Sequence, residues 1–401
     1  MLAGHWPGLD GLRGVAILMV LVLHFTHYGG MQASASFDRL FYRVAVAGWV
    51  GVDLFFVLSG FLITGILYDS KGSRHYFRNF YVRRSLRIFP LYYLALFVFC
   101  VALPRLAPAS PDLAALAQQS GWYWTYLVNL KVALVGWSSA GHIEHFWSLS
   151  IEEQFYLVWP IVLFCLRRRL LIGLCLASLA VSLIVRLSLV QAGEAVAAYV
   201  LTPARLDTLA IGALLALVAR GPDGLARLRR WAVPAAGTAA LGLAILIAWR
   251  QGLDAEDSAV QLIGYPVLAV FFGALLSMIL TQPLASPLSQ IMSSTGLRFF
   301  GRYSYALYVI HHPLVFFLRS QGVSVYAWPR AFGLQSPAQL VFIVCATGLA
   351  LAGALLTWHL CELPFLKLKR LFPYEPAANQ AATTRAVSPD SAGQLPVQPA
   401  P

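Results

Sequence analysis

The chain is 401 residues long, 59% hydrophobic and only 11% charged, with a formal net charge of +12 and a mean hydropathy of +0.70. Soluble domains carry about 25% charged residues, so the composition excludes a water-soluble globular protein and indicates an integral membrane protein. The basic excess does not point to nucleic acid, because it sits in short clusters between long apolar runs, as topogenic charges do.

Taken in chain order, ten apolar runs are long enough to span a bilayer. They predict helices at 12–28, 48–68, 88–105, 147–166, 170–190, 205–219, 232–249, 264–280, 301–319 and 339–360. The first run continues past any short signal-peptide core and lacks a small-residue cleavage site, so it is expected to be a retained helix. Segments 187–205 and 318–339 read as loops punctuated by Gly or Pro. The longest connection, 106–146, holds Trp122, Tyr123, Trp124 and Tyr126, which suit a membrane–water interface.

Basic clusters set the expected orientation. Lys71, Arg74, Arg78, Arg83, Arg84 and Arg87 lie between helices 2 and 3; Arg167–Arg169 follow helix 4; Arg220, Arg227, Arg229 and Arg230 follow helix 6; Lys367, Lys369 and Arg370 follow helix 10. All fall on one side if both termini are cytoplasmic, as the positive-inside rule requires. The acidic loop 250–261, with Asp254, Glu256 and Asp257, then faces outward. The expected fold is all-α: one bundle of about ten transmembrane helices over 1–373, followed by a disordered cytoplasmic tail over 374–401 that is too poor in large apolar residues to fold. Five cysteines, all within or at the end of apolar runs, do not suggest a disulfide framework.

An ionisable side chain inside a membrane segment is costly and marks function unless it is otherwise accounted for. Helix 1 holds Arg13 and His24, eleven residues apart. That spacing puts both on one face, separated by ~16 Å along the axis. Asp53 lies in the apolar run Gly51–Ile63, and Glu152 and Glu153 lie in Phe146–Pro160, at depths comparable with His24. A carboxylate beside an imidazole fixes its tautomer and raises its basicity, so Asp53 or Glu152 is expected to orient His24 as a base; the bland reading is that either acid only satisfies donors within the bundle. Arg84 and Arg87 are i, i+3 neighbours, and two guanidinium forks suit phosphate oxygens. Ser304, Tyr308 and His311 form an i, i+4, i+7 stripe on helix 9. Arg205 and Asp207, at the mouth of helix 6, are either a local pair or acceptor-site groups. Glu362 is as readily a structural salt-bridge partner for an inner arginine as a catalytic group. His142-Ile-Glu-His145 is too sparse to argue for a metal.

These segments together resemble the membrane-bound acyltransferase-3 family. Leu9–Gly14 with Arg13 and His24 is similar to that family's first-helix motif, Gly51–Ile63 to its second-helix segment, and Phe80–Pro90 to its Arg-x-x-Arg segment. Trp147–Tyr156, Arg205–Asp207, the helix 9 Ser-Tyr and His-x-Pro elements, and Glu362–Pro364 complete the resemblance in order over residues 9–365. One departure is Leu363, where a basic residue is common.

The resemblance implies transfer of an acyl group, acetyl foremost, from cytoplasmic acyl-CoA to a hydroxyl of a carbohydrate-type acceptor, often lipid-linked or periplasmic. It implies residence in a bacterial inner (plasma) membrane, no permanently bound cofactor, and acetyl-CoA or another acyl-CoA as co-substrate. His24, Asp53 and Glu152 become the catalytic candidates, and Arg13, Arg84 and Arg87 the donor-binding ones. Ser59, Arg205, Asp207, Ser304, Tyr308, His311 and Glu362 are candidates for acceptor-side or supporting roles. Direct transfer with His24 as base and a route through an acyl-histidine both fit the residues. The competing class is a transporter or flippase for an acylated or lipid-linked solute, since intramembrane Asp, Glu and His also serve proton relays.

Overall fold

A computed structural model describes residues 6–138 and 141–374. The expected disordered tail, Tyr374 apart, lies outside those residues. Among the described residues there is no strand, only an isolated bridge between Ala331 and Leu334. The long helices are α1 (Pro7–Tyr28), α2 (Ser36–Val46), α3 (Val50–Asp69), α4 (Tyr76–Leu96), α5 (Trp147–Cys165), α6 (Arg168–Gln191), α7 (Thr202–Ala219), α8 (Gly224–Arg250), α9 (Tyr265–Thr281), α10 (Thr295–Arg302), α11 (Ser304–Ser320) and α12 (Ser336–Thr357).

Among the described residues, eight helical segments are long and apolar enough to cross a membrane: those containing α1, α2–α3, α4, α6, α7, α8, α9 and α12. The expectation of ten counted α5 and α11 as well. Both are helices, but α5 carries Glu152, Glu153 and Gln154, and α11 is 17 residues long with His311 and His312 near its middle. The outer face of α5, with Leu157, Val158, Ile161 and Phe164 exposed, is nevertheless apolar.

Two connections differ from the sequence expectation. Within 187–205, α6 runs on to Gln191 and a short helix, Ala195–Val200, leads directly into α7. In the connection 106–146, the stretch 111–135 is a string of short helices, of which Val128–Val135 is one. Asp38 of α2 accepts the Gln335 and Ser336 amides at 3.0 Å each, capping the start of α12.

Close helix approaches set where the functional side chains stand. Where α3 crosses α7, the Leu209 carbonyl occupies the place of a Cβ on Gly60, and the Val57 carbonyl that of one on Gly212. Where α1 meets α10 and the short helix Pro287–Met292 before it, the carbonyls of Leu297 and Met292 do the same at Gly14 and Gly11. Glycine is required at such contacts because backbones touch there, as between membrane helices generally. The second crossing carries Arg298 and Arg302 of α10 up to Arg13 of α1.

Candidate active site

Two cavities open at opposite ends of α1. The one at its N-terminal end, about 530 Å³, is lined by Arg13, by Arg83, Arg84 and Arg87 of α4, by Arg298 and Arg302 of α10 and by Lys369, with Asp10 as the one carboxylate among the lining residues. Seven cations against one acid make this cavity strongly cationic. Arg13 pairs with Asp10 at 3.3 Å, and Arg83 is committed to the carbonyls of Lys369 (2.7 Å) and Phe372 (3.0 Å). Arg84 stacks over Tyr156 at 5.2 Å, and Arg87 over Trp358 at 5.9 Å. Ring faces hold these guanidiniums in place while leaving their N–H edges for a ligand. Arg298 and Arg302 were not among the expected donor-binding residues, and Lys369 was expected only as an orienting charge; the i, i+4 arginines across the start of helix 9 were the available signal.

The second cavity, about 800 Å³, is lined by His24, His27, Tyr28, Tyr42, Trp49, Trp137, Trp147 and Tyr199, by Glu144, His145 and His312, and by the 250–257 loop with Asp254, Glu256 and Asp257. The loop is tied down: Trp137 Nε1 donates to Glu256 at 2.9 Å and Trp49 Nε1 to the Leu253 carbonyl at 2.8 Å. Asp257 pairs with Arg250 and accepts the Ala259 amide at 2.9 Å and the Val260 amide at 3.1 Å. Partial burial alone would raise the Asp257 carboxyl, but the Arg250 guanidinium and those amides hold it below the usual carboxylate range. Glu144, also lining the cavity, pairs with buried Lys131.

At the floor of this cavity four imidazoles meet. His24 and His311 have ring centroids 5.0 Å apart, His24 and His312 4.8 Å, and His145 and His312 4.6 Å. A backbone carbonyl only accepts, so a ring nitrogen facing one carries the proton. His311 Nδ1 faces the Leu307 carbonyl at 3.0 Å, which leaves its Nε2 as an acceptor. His24 Nδ1 lies 2.9 Å from that Nε2 and therefore donates to it. With Nδ1 protonated, Nε2 of His24 keeps its lone pair. His145 Nε2 donates to the Tyr308 carbonyl at 2.8 Å, and Tyr308 OH donates back to the His145 carbonyl at 2.6 Å and lies 2.5 Å from Ser148 Oγ. These bonds lock α11 to the start of α5.

The expected carboxylate partner of His24 is therefore replaced by His311. Asp53 forms a buried ion pair with Arg205, and Asp207 pairs with Arg186 at 2.8 Å. All four side chains are 3% exposed or less. Arg205 lies over the Tyr265 ring at 4.4 Å, and Arg186 over the same ring at 5.4 Å. This neutral group of four charges joins α3, α6 and α7 and borders neither cavity. Asp53 thus faces Arg205 rather than His24, and Arg205 and Asp207 each form their ion pair with a residue of another helix. Arg186, a lone charge within the apolar run 170–190, was the legible sign of this group.

Glu152 does not reach His24 either. It accepts from Ser59, whose Oγ is in turn hydrogen-bonded by Tyr156 OH at 3.0 Å, and it feels Arg84 and Arg13. It belongs to the arginine side: one turn earlier on α5 it is Ser148, not Glu152, that meets Tyr308 beside the imidazoles. Ser304 is buried at the start of α11. Glu362, in a π-helical turn at Trp358–Glu362, faces Arg87 and Lys369, and neither carboxylate oxygen has a hydrogen-bond partner among the described residues.

Comparison with known proteins bears on this arrangement. The chain is 30% identical over 329 residues to a Bacillus subtilis protein provisionally named peptidoglycan O-acetyltransferase YrhL, covering 77% of this chain and 48% of the relative. It is 27% identical over 334 residues to O-acetyltransferase OatA of Staphylococcus aureus, covering 79% and 51%. The chain thus spans about half the length of these curated relatives. No solved structure matches it. The acyltransferase-3 family, described as an acyltransferase domain, matches residues 6–359, which include α1 with both Arg13 and His24, the arginine cavity's α4 and α10, and the imidazole cluster. The chain is a member of the acyltransferase-3 family.

Proposed function

We propose that the protein transfers an acyl group, acetyl foremost, from a cytoplasmic coenzyme A thioester to a hydroxyl of a carbohydrate-type acceptor, within a bacterial inner membrane and with both termini cytoplasmic. The observation that carries this reading is the placement of two chemically opposite cavities at the two ends of one helix, α1. The cationic cavity suits the phosphates of the donor, for which guanidinium forks are the natural partners. The other cavity offers aromatic faces to stack against sugar rings and carboxylates to accept from sugar hydroxyls. It is large enough for more than a monosaccharide, as ligand cavities of this size are.

In this reading the donor lays its phosphates among Arg84, Arg87, Arg298, Arg302 and Lys369, with Arg13 at the edge of the site. Its thin pantetheine arm extends along α1, and the thioester reaches Nε2 of His24, ~16 Å from Arg13 along the axis. Glu152, Ser59 and Tyr156 lie on the path and position the arm. The acceptor hydroxyl arrives from the aromatic cavity. Donor and acceptor thus approach His24 from opposite sides, and no soluble intermediate crosses the bilayer.

The test is acetyl-CoA turnover by purified protein in detergent, followed as release of free thiol. Transport needs a sealed membrane, so turnover in detergent separates an acyltransferase from a transporter. His24→Ala is expected to remove turnover while leaving a folded protein. Wild-type turnover in that variant would refute the assignment.

A further inference from the structure

His312 is the second imidazole on the floor of the aromatic cavity, and its geometry repeats that of His24. Its Nδ1 faces the His142 carbonyl at 3.0 Å and so carries the proton. Its Nε2 therefore holds a lone pair, as His24 Nε2 does. Both residues line the same cavity, with ring planes at 88° and centroids 4.8 Å apart. Near-parallel stacking on His145 at 24° and 4.6 Å, together with contact to Phe316 at 5.0 Å, fixes the His312 ring. Two bases with tautomers set in the same sense, facing one substrate cavity, are more than a single proton transfer requires.

We infer that His312 is a second catalytic base, which takes the proton of the acceptor hydroxyl while His24 carries the acyl group. The inference rests on the acyl-transfer reading above. In the first half-reaction His24 Nε2 attacks the thioester carbonyl, an N–C bond forms, the C–S bond breaks and coenzyme A leaves as the thiolate. The positive charge left on the acylated ring is shared along the Nδ1–H to His311 Nε2 hydrogen bond. In the second half-reaction the acceptor hydroxyl gives its proton to His312 Nε2 as its oxygen attacks the acyl carbon. The C–N bond breaks and its electron pair returns to His24. His312 then loses the proton to water in the cavity, and the thiolate takes one up, which closes the balance. The arrangement separates the two jobs that a single imidazole, once acylated at Nε2, cannot perform together.

The experiment separates the halves in detergent-purified full chain. The donor half is read as exchange of label between acetyl-CoA and free coenzyme A with no acceptor present. The second half is read as acetyl transfer to a trimer of N-acetylglucosamine, and as deacylation by hydroxylamine, a nucleophile that needs no base. His312→Gln is expected to keep exchange within about twofold, to lose about 10²-fold in transfer, the usual scale of a general base, and to keep deacylation by hydroxylamine. His312→Asn, whose amide can still donate to the His142 carbonyl, provides a second folded variant with the same expectation. Equal loss of exchange and transfer in both variants, or unchanged transfer in either, overturns the role of His312. Exchange surviving in His24→Ala removes His24 as the acyl carrier and the role of His312 with it, whereas wild-type protein showing neither exchange nor transfer removes the acyl-transfer reading itself.

Discussion

The buried pair of Asp53 and Arg205 allows a sharp prediction, because sequence reasoning and structure assign Asp53 different jobs. Asp53→Asn removes the charge that Arg205 faces while keeping the shape. Arg205 would remain 0% exposed, with the Tyr265 ring at 4.4 Å and Asp207 as its remaining charged neighbour. Breaking a buried ion pair from one side costs about 3–5 kcal/mol. A desolvated cation–π contact is worth about 2 kcal/mol and persists in the variant, so we place the cost at the lower end, about 3 kcal/mol. Removing both partners in Asp53→Leu/Arg205→Met leaves the Arg186 and Asp207 pair neutral and is expected to recover most of that loss. The assay is thermal unfolding of the three proteins in one detergent, together with exchange between acetyl-CoA and coenzyme A well below the transition. The single variant should melt lower by roughly 5 °C or more yet retain exchange, and the double variant should return toward wild type. A single variant with wild-type melting and no exchange would refute this and return Asp53 to the chemistry. A double variant as unstable as the single would refute the ion-pair accounting.

Arg84→Ala and Arg298→Ala should each raise the donor KM by about tenfold or more, the scale of one lost charge-assisted bond, with kcat little changed; a fall in kcat at constant KM would place these residues elsewhere in the cycle. His311→Leu should lower kcat by roughly two orders of magnitude without moving the donor KM, and His311→Gln, which keeps an acceptor for His24 Nδ1–H, should recover part of it. Full activity with Leu at 311 would show that His24 needs no such partner. For Asp257 the folded carboxyl is held below its ordinary value, so its stabilising contribution is present above the unfolded value of about 3.9 and is lost as pH falls through the lower folded value. The difference in melting temperature between wild type and Asp257→Asn should therefore be full at neutral pH and close as pH drops below about 4. A difference that persists at the acid end would contradict this.

Much was legible in the residues themselves. Membrane class follows from charge scarcity and run length, since neither depends on partners, and the positions of nearly all long helices follow with it. The pairing of Arg13 and His24 on one face of α1 is likewise a property of a single helix, set by about 3.6 residues per turn. The arginine site was half visible: Arg84 and Arg87 neighbour each other in sequence, whereas Arg298, Arg302 and Lys369 come from distant segments of the chain. The length of α5 was visible, but its three polar residues in succession keep it from standing alone as an apolar span.

What the chain by itself determined is local: helix, face and the presence of costly charges in apolar runs. Which charges meet was decided only by packing. Asp53, Glu152 and His24 lie at similar depths when each helix is counted alone, yet rotation of α3 and α5 about their axes turns the two acids to different neighbours. Asp53 meets Arg205 because glycines at 60 and 212 bring α3 and α7 into backbone contact. Glu152 meets Ser59, and His24 meets two histidines of α11, both of which also contact His145 from the turn before α5. Depth is a one-dimensional quantity that helix rise supplies. The azimuth of each helix is set by contacts between residues distant in the chain, and only the tertiary structure contains it.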